Sequence, residues 1–182
     1  MRRLVITLVA IGSLACTTAP ASAADVSAGT ASATSTTNTG GWQPAPSEPW
    51  EVPAGERCDF AISGVPVVDE VRKLTLQTHP DGTAKRELYT GDLVVRITNL
   101  ETGAYTDADA GGDAVMEFRA DGSPARWYVR GPVLVGMGAD GGNLPRGMWI
   151  VDGVFTIDFT TDGKKNITMV HGDQRELCAT IA

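Results

Sequence analysis

From Arg57 to Ala182, apolar side chains recur at every second position, and Asp-Gly pairs interrupt the pattern. Leu93, Val95 and Ile97 share one parity, while Arg96 and Thr98 take the other. Ala114, Met116 and Phe118 alternate with Glu117 and Arg119. Trp127 and Val129 alternate with Arg126, Tyr128 and Arg130, and Phe155, Ile157 and Phe159 with Thr156, Asp158 and Thr160. A period of two puts successive side chains on opposite faces, so each run describes a half-buried β-strand. No window carries the i, i+3, i+4, i+7 spacing of an amphipathic helix. Asp81-Gly82, Asp121-Gly122, Asp152-Gly153 and Asp162-Gly163 tolerate the positive φ angles of tight hairpins, and Thr90-Gly91 and Thr102-Gly103 add weaker turn signals. The expectation is an all-β domain over 56–182, a meander of roughly eight to ten antiparallel strands.

Cysteine placement bears on how such a meander ends. Cys58 stands near the start of the first strand and Cys178 in the last expected one. A bridge between them closes a loop of about 120 residues and removes roughly 5 kcal/mol of unfolded-state disorder in the chain-entropy model. It also brings the first and last strands together. Closure removes both exposed edges, so an up-and-down β-barrel is favoured, with a β-sandwich as the alternative.

The chain opens with an export signal. Met1-Arg2-Arg3 is the positive start, Leu4 to Ala15 the apolar run, and Ala21-Ser22-Ala23 a small-x-small cleavage site. Residues 1–23 are therefore read as a signal peptide and the mature protein as secreted, a setting that favours the disulfide. Ser13-Leu14-Ala15-Cys16 offers a lesser alternative, lipidation at Cys16. No later segment is apolar enough to span a bilayer. Residues 24–55 are rich in Ala, Ser and Thr and then in Pro, with Trp42 and Trp50 among the prolines, and are expected to form a disordered lead-in. The formal net charge of −7 argues against nucleic acid as a partner.

The strand and turn Asp92-Leu-Val-Val-Arg-Ile-Thr-Asn99-Leu-Glu-Thr-Gly103, set between the two cysteines, resembles a group of small secreted actinobacterial proteins. These share a similar export signal, a similar Thr-Asn-x-x-Thr-Gly hairpin and a late Leu-Cys pair, here Leu177-Cys178. The resemblance covers about residues 57 to 182. It implies compartment and fold, and it carries over no active site.

Candidate chemistry is sparse. Gly136-Met-Gly-Ala-Asp-Gly141 matches G-x-G-x-x-G after the strand-like Val133-Leu-Val135, but Gly142-Asn-Leu-Pro-Arg-Gly147 cannot open the helix a dinucleotide needs. The 136–147 stretch is instead expected to be a mobile loop suited to a lid or contact surface. Asp107, Asp109 and Asp113 gather three carboxylates on a loop that could approach calcium, although the spacing fails the EF-hand pattern. His79 precedes a turn. His171 shares parity with Ile167 and Met169, which aims it inward as a candidate acid, base or ligand contact. Met116, Trp127, Met137, Trp149 and Met169 complete a candidate ligand-binding set, whose ordinary explanation is core packing. No cofactor is implied. The sequence favours a secreted, non-catalytic β-barrel that binds a small apolar ligand or an extracellular protein. The alternatives are a barrel enzyme of hydrolase or cyclase type using His171, and a surface interaction module using the tryptophan-bearing lead-in.

Overall fold

A computed structural model describes residues 40–182. The expected signal peptide at 1–23, Cys16, and residues 24–39 of the expected lead-in lie outside the described residues. The strands are β1 (Gln43–Pro44), β2 (Trp50–Val52), β3 (Ile62–Asp69), β4 (Arg72–Thr78), β5 (Ala84–Thr90) and β6 (Leu93–Asn99). They continue as β7 (Tyr105–Asp109), β8 (Asp113–Phe118), β9 (Pro124–Arg130), β10 (Val133–Met137), β11 (Gly147–Phe159) and β12 (Lys165–Glu176). A single 3-10 turn, Cys178–Thr180, follows. Among the described residues there is no α-helix, and no helix is long and apolar enough to cross a membrane.

The strands form two antiparallel sheets. The larger runs β1-β4-β5-β8-β9-β11-β10, with β12 along the other side of β11. The smaller runs β2-β3-β6-β7. Hydrogen bonding leaves both sheets open, so the architecture is all-β and two-sheeted, and the expected closure through adjacent first and last strands is absent among the described strands. There β3 pairs with β2 and β6, while β12 pairs with β11.

Followed along the chain, β3–β4, β5–β6, β7–β8, β9–β10, β11 and β12 are six long runs, each bent at its middle. The bends lie side by side. Glu70 donates its N–H to Asp92 O at 2.8 Å, Gly112 to Pro132 O at 2.8 Å, and Gly131 to Gly153 O at 2.8 Å. At Gly91 (φ +130°) an added Cβ would stand 2.3 Å from Glu70 O, and at Gly153 (φ +126°) 2.1 Å from His171 O. Only glycine fits such an approach.

Strand parity survives as expected. Val95, Ile97, Ala114, Val129, Phe155 and Ile157 are all buried. Three of the four Asp-Gly pairs make hairpins: Asp81-Gly82 joins β4 to β5, Asp121-Gly122 joins β8 to β9, and Asp162-Gly163 joins β11 to β12. In the first two the Asp carboxylate accepts the N–H of the residue two further on, from Thr83 and Ser123, each at 2.9 Å. Asp152-Gly153 makes no hairpin; it lies inside β11, with Gly153 at a φ of +126°.

The lead-in needs a larger correction. Its described part, 40–55, is built into the fold. β1 pairs with β4 and β2 with β3, so the strand total exceeds the expected range. The Trp50 ring lies where a Cβ on Gly64 would come within 2.2 Å of it. Prolines suit this edge position because an edge strand leaves one side of its backbone undonated.

Cys58 and Cys178 are bridged, with Cα atoms 5.5 Å apart. Cys178, expected in the last strand, lies instead in the 3-10 turn after it, and Cys58 lies in the loop before β3. The chain leaves β12 after Glu176 and turns so that Leu177 and Ile181 are buried with Ile62, Val95, Ile97 and Met148. The bridge thus joins a loop before β3 to a turn after β12, beyond the strand ends. Asn99 fixes the same corner. Its buried Nδ2 donates to Ile181 O at 3.0 Å, and its Oδ1 accepts the N–H groups of Glu101 and Thr102 at 2.9 and 3.3 Å.

Two predictions follow from this corner. Reducing the bridge lowers unfolding stability by about 2–5 kcal/mol, read from urea titrations of the full chain with and without reductant; coincident curves contradict it. Asn99→Ala leaves three backbone groups without their partner and lowers stability by about 2–3 kcal/mol in the same titration.

Candidate functional site

The register of the larger sheet sets its inner face. Thr75, Glu87, Met116, Trp127, Ile157 and Ile167 are cross-strand neighbours in one row. Lys73, Tyr89, Ala114, Val129, Phe155 and Met169 form the next. Both rows run from polar at β4–β5 to apolar at β11–β12.

The apolar end is closed core: Val129, Phe155, Ile157 and Ile167 pack together with Met137 and Val151. Nearer the polar end lies a cavity of about 330 Å³. Tyr89, Met116 and Trp127 line it from the larger sheet, Leu93 and Val95 from the smaller, and Glu48 and Trp50 from the lead-in. Its size reaches the lower end of the range typical for small-molecule sites, roughly 300–1,000 Å³.

Glu87 is 4% exposed, and its charge is matched locally. Lys73 Nζ lies 3.1 Å from one carboxylate oxygen. Thr75 Oγ1 donates at 3.2 Å and the Tyr89 hydroxyl at 2.5 Å. A buried carboxylate with one cation and two hydroxyl donors is a satisfied network. Burial pushes the Tyr89 phenol above its ordinary value, and the hydrogen bond and charge of Glu87 push it further. Tyr89 therefore keeps its proton at neutral pH and serves as a donor already engaged.

Trp127 differs. Its ring packs against Phe159 with centroids 5.0 Å apart, and its indole N–H is buried without a hydrogen-bond partner. Such a donor costs about 1–3 kcal/mol when nothing accepts from it. Other atoms of the same side chain line the cavity.

The sequence-derived candidates separate. Met116 and Trp127 meet across β8–β9 and share the cavity wall. Met137 is fully buried core, and Met169 packs against the same cluster. Trp149 is half-buried and donates to Pro145 O at 3.0 Å. His171 corrects the inward expectation. Val154 pairs with His171 but Phe155 pairs with Met169, so Val170 is an extra residue on β12. One inserted residue reverses parity beyond it. His171 is accordingly exposed, beside Val170 at 77%. His79 Nε2 lies 3.2 Å from Phe118 O.

The three aspartates do not share one loop. Asp107 and Asp109 belong to β7, and Asp113 opens β8. Asp107 pairs with Arg96 at 2.7 and 2.8 Å, Asp109 accepts Gly111 N–H at 3.0 Å, and Asp113 accepts from Thr90 Oγ1 at 2.5 Å. Among the described residues no three His, Cys, Asp or Glu side chains gather as a metal-binding group.

The 136–147 stretch is pinned where a mobile loop was expected. Asn143 bonds both Ile167 O and Ile167 N–H, at 2.7 and 2.8 Å, and Arg146 donates to Gly55 O and Cys58 O at 3.0 and 3.1 Å. The sequence reading passed over Glu87, Tyr89 and Glu48, and took Trp50 only as part of the tryptophan-bearing lead-in. The available signal was Lys73-x-Thr75 facing Glu87-x-Tyr89 across the Asp81-Gly82 hairpin, two polar pairs at strand spacing. Comparison with known proteins gives no match to any family model, curated protein or solved structure.

The Tyr89 environment has a pH consequence. Its folded pKa is raised above the ordinary 10.0. Its contribution to stability is therefore complete below about pH 10 and is lost as pH rises beyond that, where the unfolded chain releases the proton first. Tyrosinate absorbance of the folded protein should lag that of the urea-unfolded chain, and Tyr89→Phe should abolish the lag.

Proposed function

We propose that this protein is a secreted, non-catalytic binding protein that takes a small, mainly apolar molecule into the cavity between its sheets. The observation that carries this is the cavity itself, about 330 Å³ with Met116, Leu93 and Val95 in its wall. Trp127 is a wall residue with an unpartnered N–H, and in this reading the ligand brings one acceptor to it, such as a carbonyl or ether oxygen. In this scheme the two sheets act as one flattened barrel around the ligand, and the lead-in residues Glu48 and Trp50 form part of its rim. The export signal and the Cys58–Cys178 bridge support an oxidising compartment.

The alternative of catalysis through His171 has no support from position, since His171 is exposed. The lead-in is also a poor tryptophan-presenting module. Trp50 is packed, and Trp42 lies 5.5 Å from the Arg72 guanidinium, although it remains partly exposed.

Titrating the protein with a medium-chain methyl ketone should give saturable quenching of tryptophan fluorescence. The alkane of equal length should bind at least about tenfold more weakly, the value of one hydrogen bond. Ala114→Leu, which adds volume at the cavity wall, should weaken ketone binding by a similar factor. Unsaturable quenching, or unchanged affinity in Ala114→Leu, would overturn the proposal.

A further inference from the structure

A second pocket, of about 220 Å³, carries chemistry that the first does not. Its apolar wall is Trp50, Val52, Leu134 and Met148, and its polar wall is Arg57 and Lys165. The glycine-rich run that resembled a nucleotide loop builds the polar wall. Lys165 N–H donates to Gly141 O at 2.8 Å, and Lys165 Nζ donates to Gly136 O at 2.7 Å. The Arg57 side chain lies across the same run. A Cβ on Gly136 would stand 3.0 Å from Arg57 Nε, and one on Gly138 2.8 Å from Nη1. These glycines make room for the guanidinium.

Lys73, Arg86, Arg96, Arg126, Arg146 and Lys164 each face a carboxylate. Of the described cations without an ion pair, Arg72, Lys85, Arg130 and Arg175 are exposed to solvent and Arg119 donates to Ser123 Oγ, Pro124 O and Phe159 O, whereas Arg57 and Lys165 are half-buried. Among the described residues neither Arg57 nor Lys165 forms an ion pair, although the chain holds 22 acidic residues against 15 basic. Arg57 donates to Glu56 O at 3.1 Å, which leaves most of its fork open. Burial lowers the Lys165 pKa, and the charge of Arg57 lowers it further. Two like charges held together beside apolar surface are unfavourable alone and become favourable around an anion.

We propose that Arg57 and Lys165 bind the carboxylate of a small organic acid, whose apolar part packs against Trp50, Val52, Leu134 and Met148. A planar carboxylate matches the guanidinium fork, and the ammonium supplies a second charged donor. The four apolar neighbours select an acid with a hydrocarbon portion over a bare inorganic anion. The pocket shares Trp50 and Leu134 with the inter-sheet cavity, but Arg57, Lys165, Val52 and Met148 lie outside that cavity, so either proposal can fail without the other.

Hexanoate, hexanol and inorganic phosphate, titrated by calorimetry into the full chain, test it. Hexanoate should bind saturably, and hexanol and phosphate at least about tenfold more weakly. Arg57→Gln and Lys165→Gln, each checked for a native circular dichroism spectrum, should each weaken hexanoate by about tenfold. Gly138→Ala, which displaces the guanidinium, should weaken it also. Ala114→Leu should leave hexanoate unaffected. Phosphate or hexanol binding as tightly as hexanoate, or unchanged affinity in both charge variants, overturns the proposal. Loss of hexanoate in Ala114→Leu moves the acid to the other cavity and overturns it too. Should a charge variant misfold, magnetisation transfer from hexanoate to the Met148 methyl in the unmodified protein decides: its presence supports the site, and its absence overturns it.

Discussion

Close backbone approach at the waist of the six bent runs governs the rest of the structure. Gly91 meets Glu70, Gly112 meets Pro132, and Gly153 and Gly172 meet each other, at distances that admit no Cβ. Because the bends fall side by side, β3, β5 and β7 each hand the chain from one sheet to the other at the same level. The two sheets can then face each other across a shared interior. Gly91 and Gly112 also line the inter-sheet cavity. Alternating large side chains close the core toward β11–β12, and space remains between Met116, Leu93 and the lead-in.

Much of the β framework was legible because burial on one face writes itself as parity. Leu93-Val95-Ile97 and Phe155-Ile157-Phe159 could be placed without knowing their partners. The Asp-Gly rule fails only at Asp152-Gly153, and there the sequence held the correction. The odd-numbered series Trp149, Val151, Phe155, Ile157 runs through the pair without a break in phase, as in one long strand. His171 had no such warning. A bulge adds a residue without any compositional mark, so parity counted from Ile167 was wrong past Val170. β1 and β2 are two and three residues long, too short for any period to show, and proline content argued for disorder where it marks a protected edge.

The polar row at Glu87 was missed for a different reason. Sequence patterning assigns charged residues outward, and in Glu87-Leu88-Tyr89 that rule turns Leu88 inward. The structure does the reverse: Glu87 is buried, and Leu88 lines a surface groove with Val115, Tyr128 and Val170. Burying a carboxylate is tolerable only when its partners come with it, and here Lys73, Thr75 and Tyr89 come from positions fixed by the β4–β5 register. The inversion is thus a property of the hairpin as a unit. No single residue in it announces the change of face.

The disulfide takes on a second role once the pockets are in view. Arg57 precedes Cys58 in the segment between β2 and β3, a segment with no ladder of its own. The bridge to Cys178 holds it on one side, and Arg146 holds Gly55 O, Cys58 O and the Asp59 carboxylate on the other. Trp50, just upstream, is placed by the short β2–β3 pairing and by contact with Gly64, and it lines both pockets together with Leu134. A three-residue strand is too weak to hold these positions alone, since isolated short pairings are marginal in water. Covalent closure a few residues later fixes the loop's far end and so limits how far Trp50 and Arg57 can drift. The Cys58–Cys178 link therefore stabilises the apolar corner around Leu177 and Ile181 and positions the side chains on which both proposed binding sites depend.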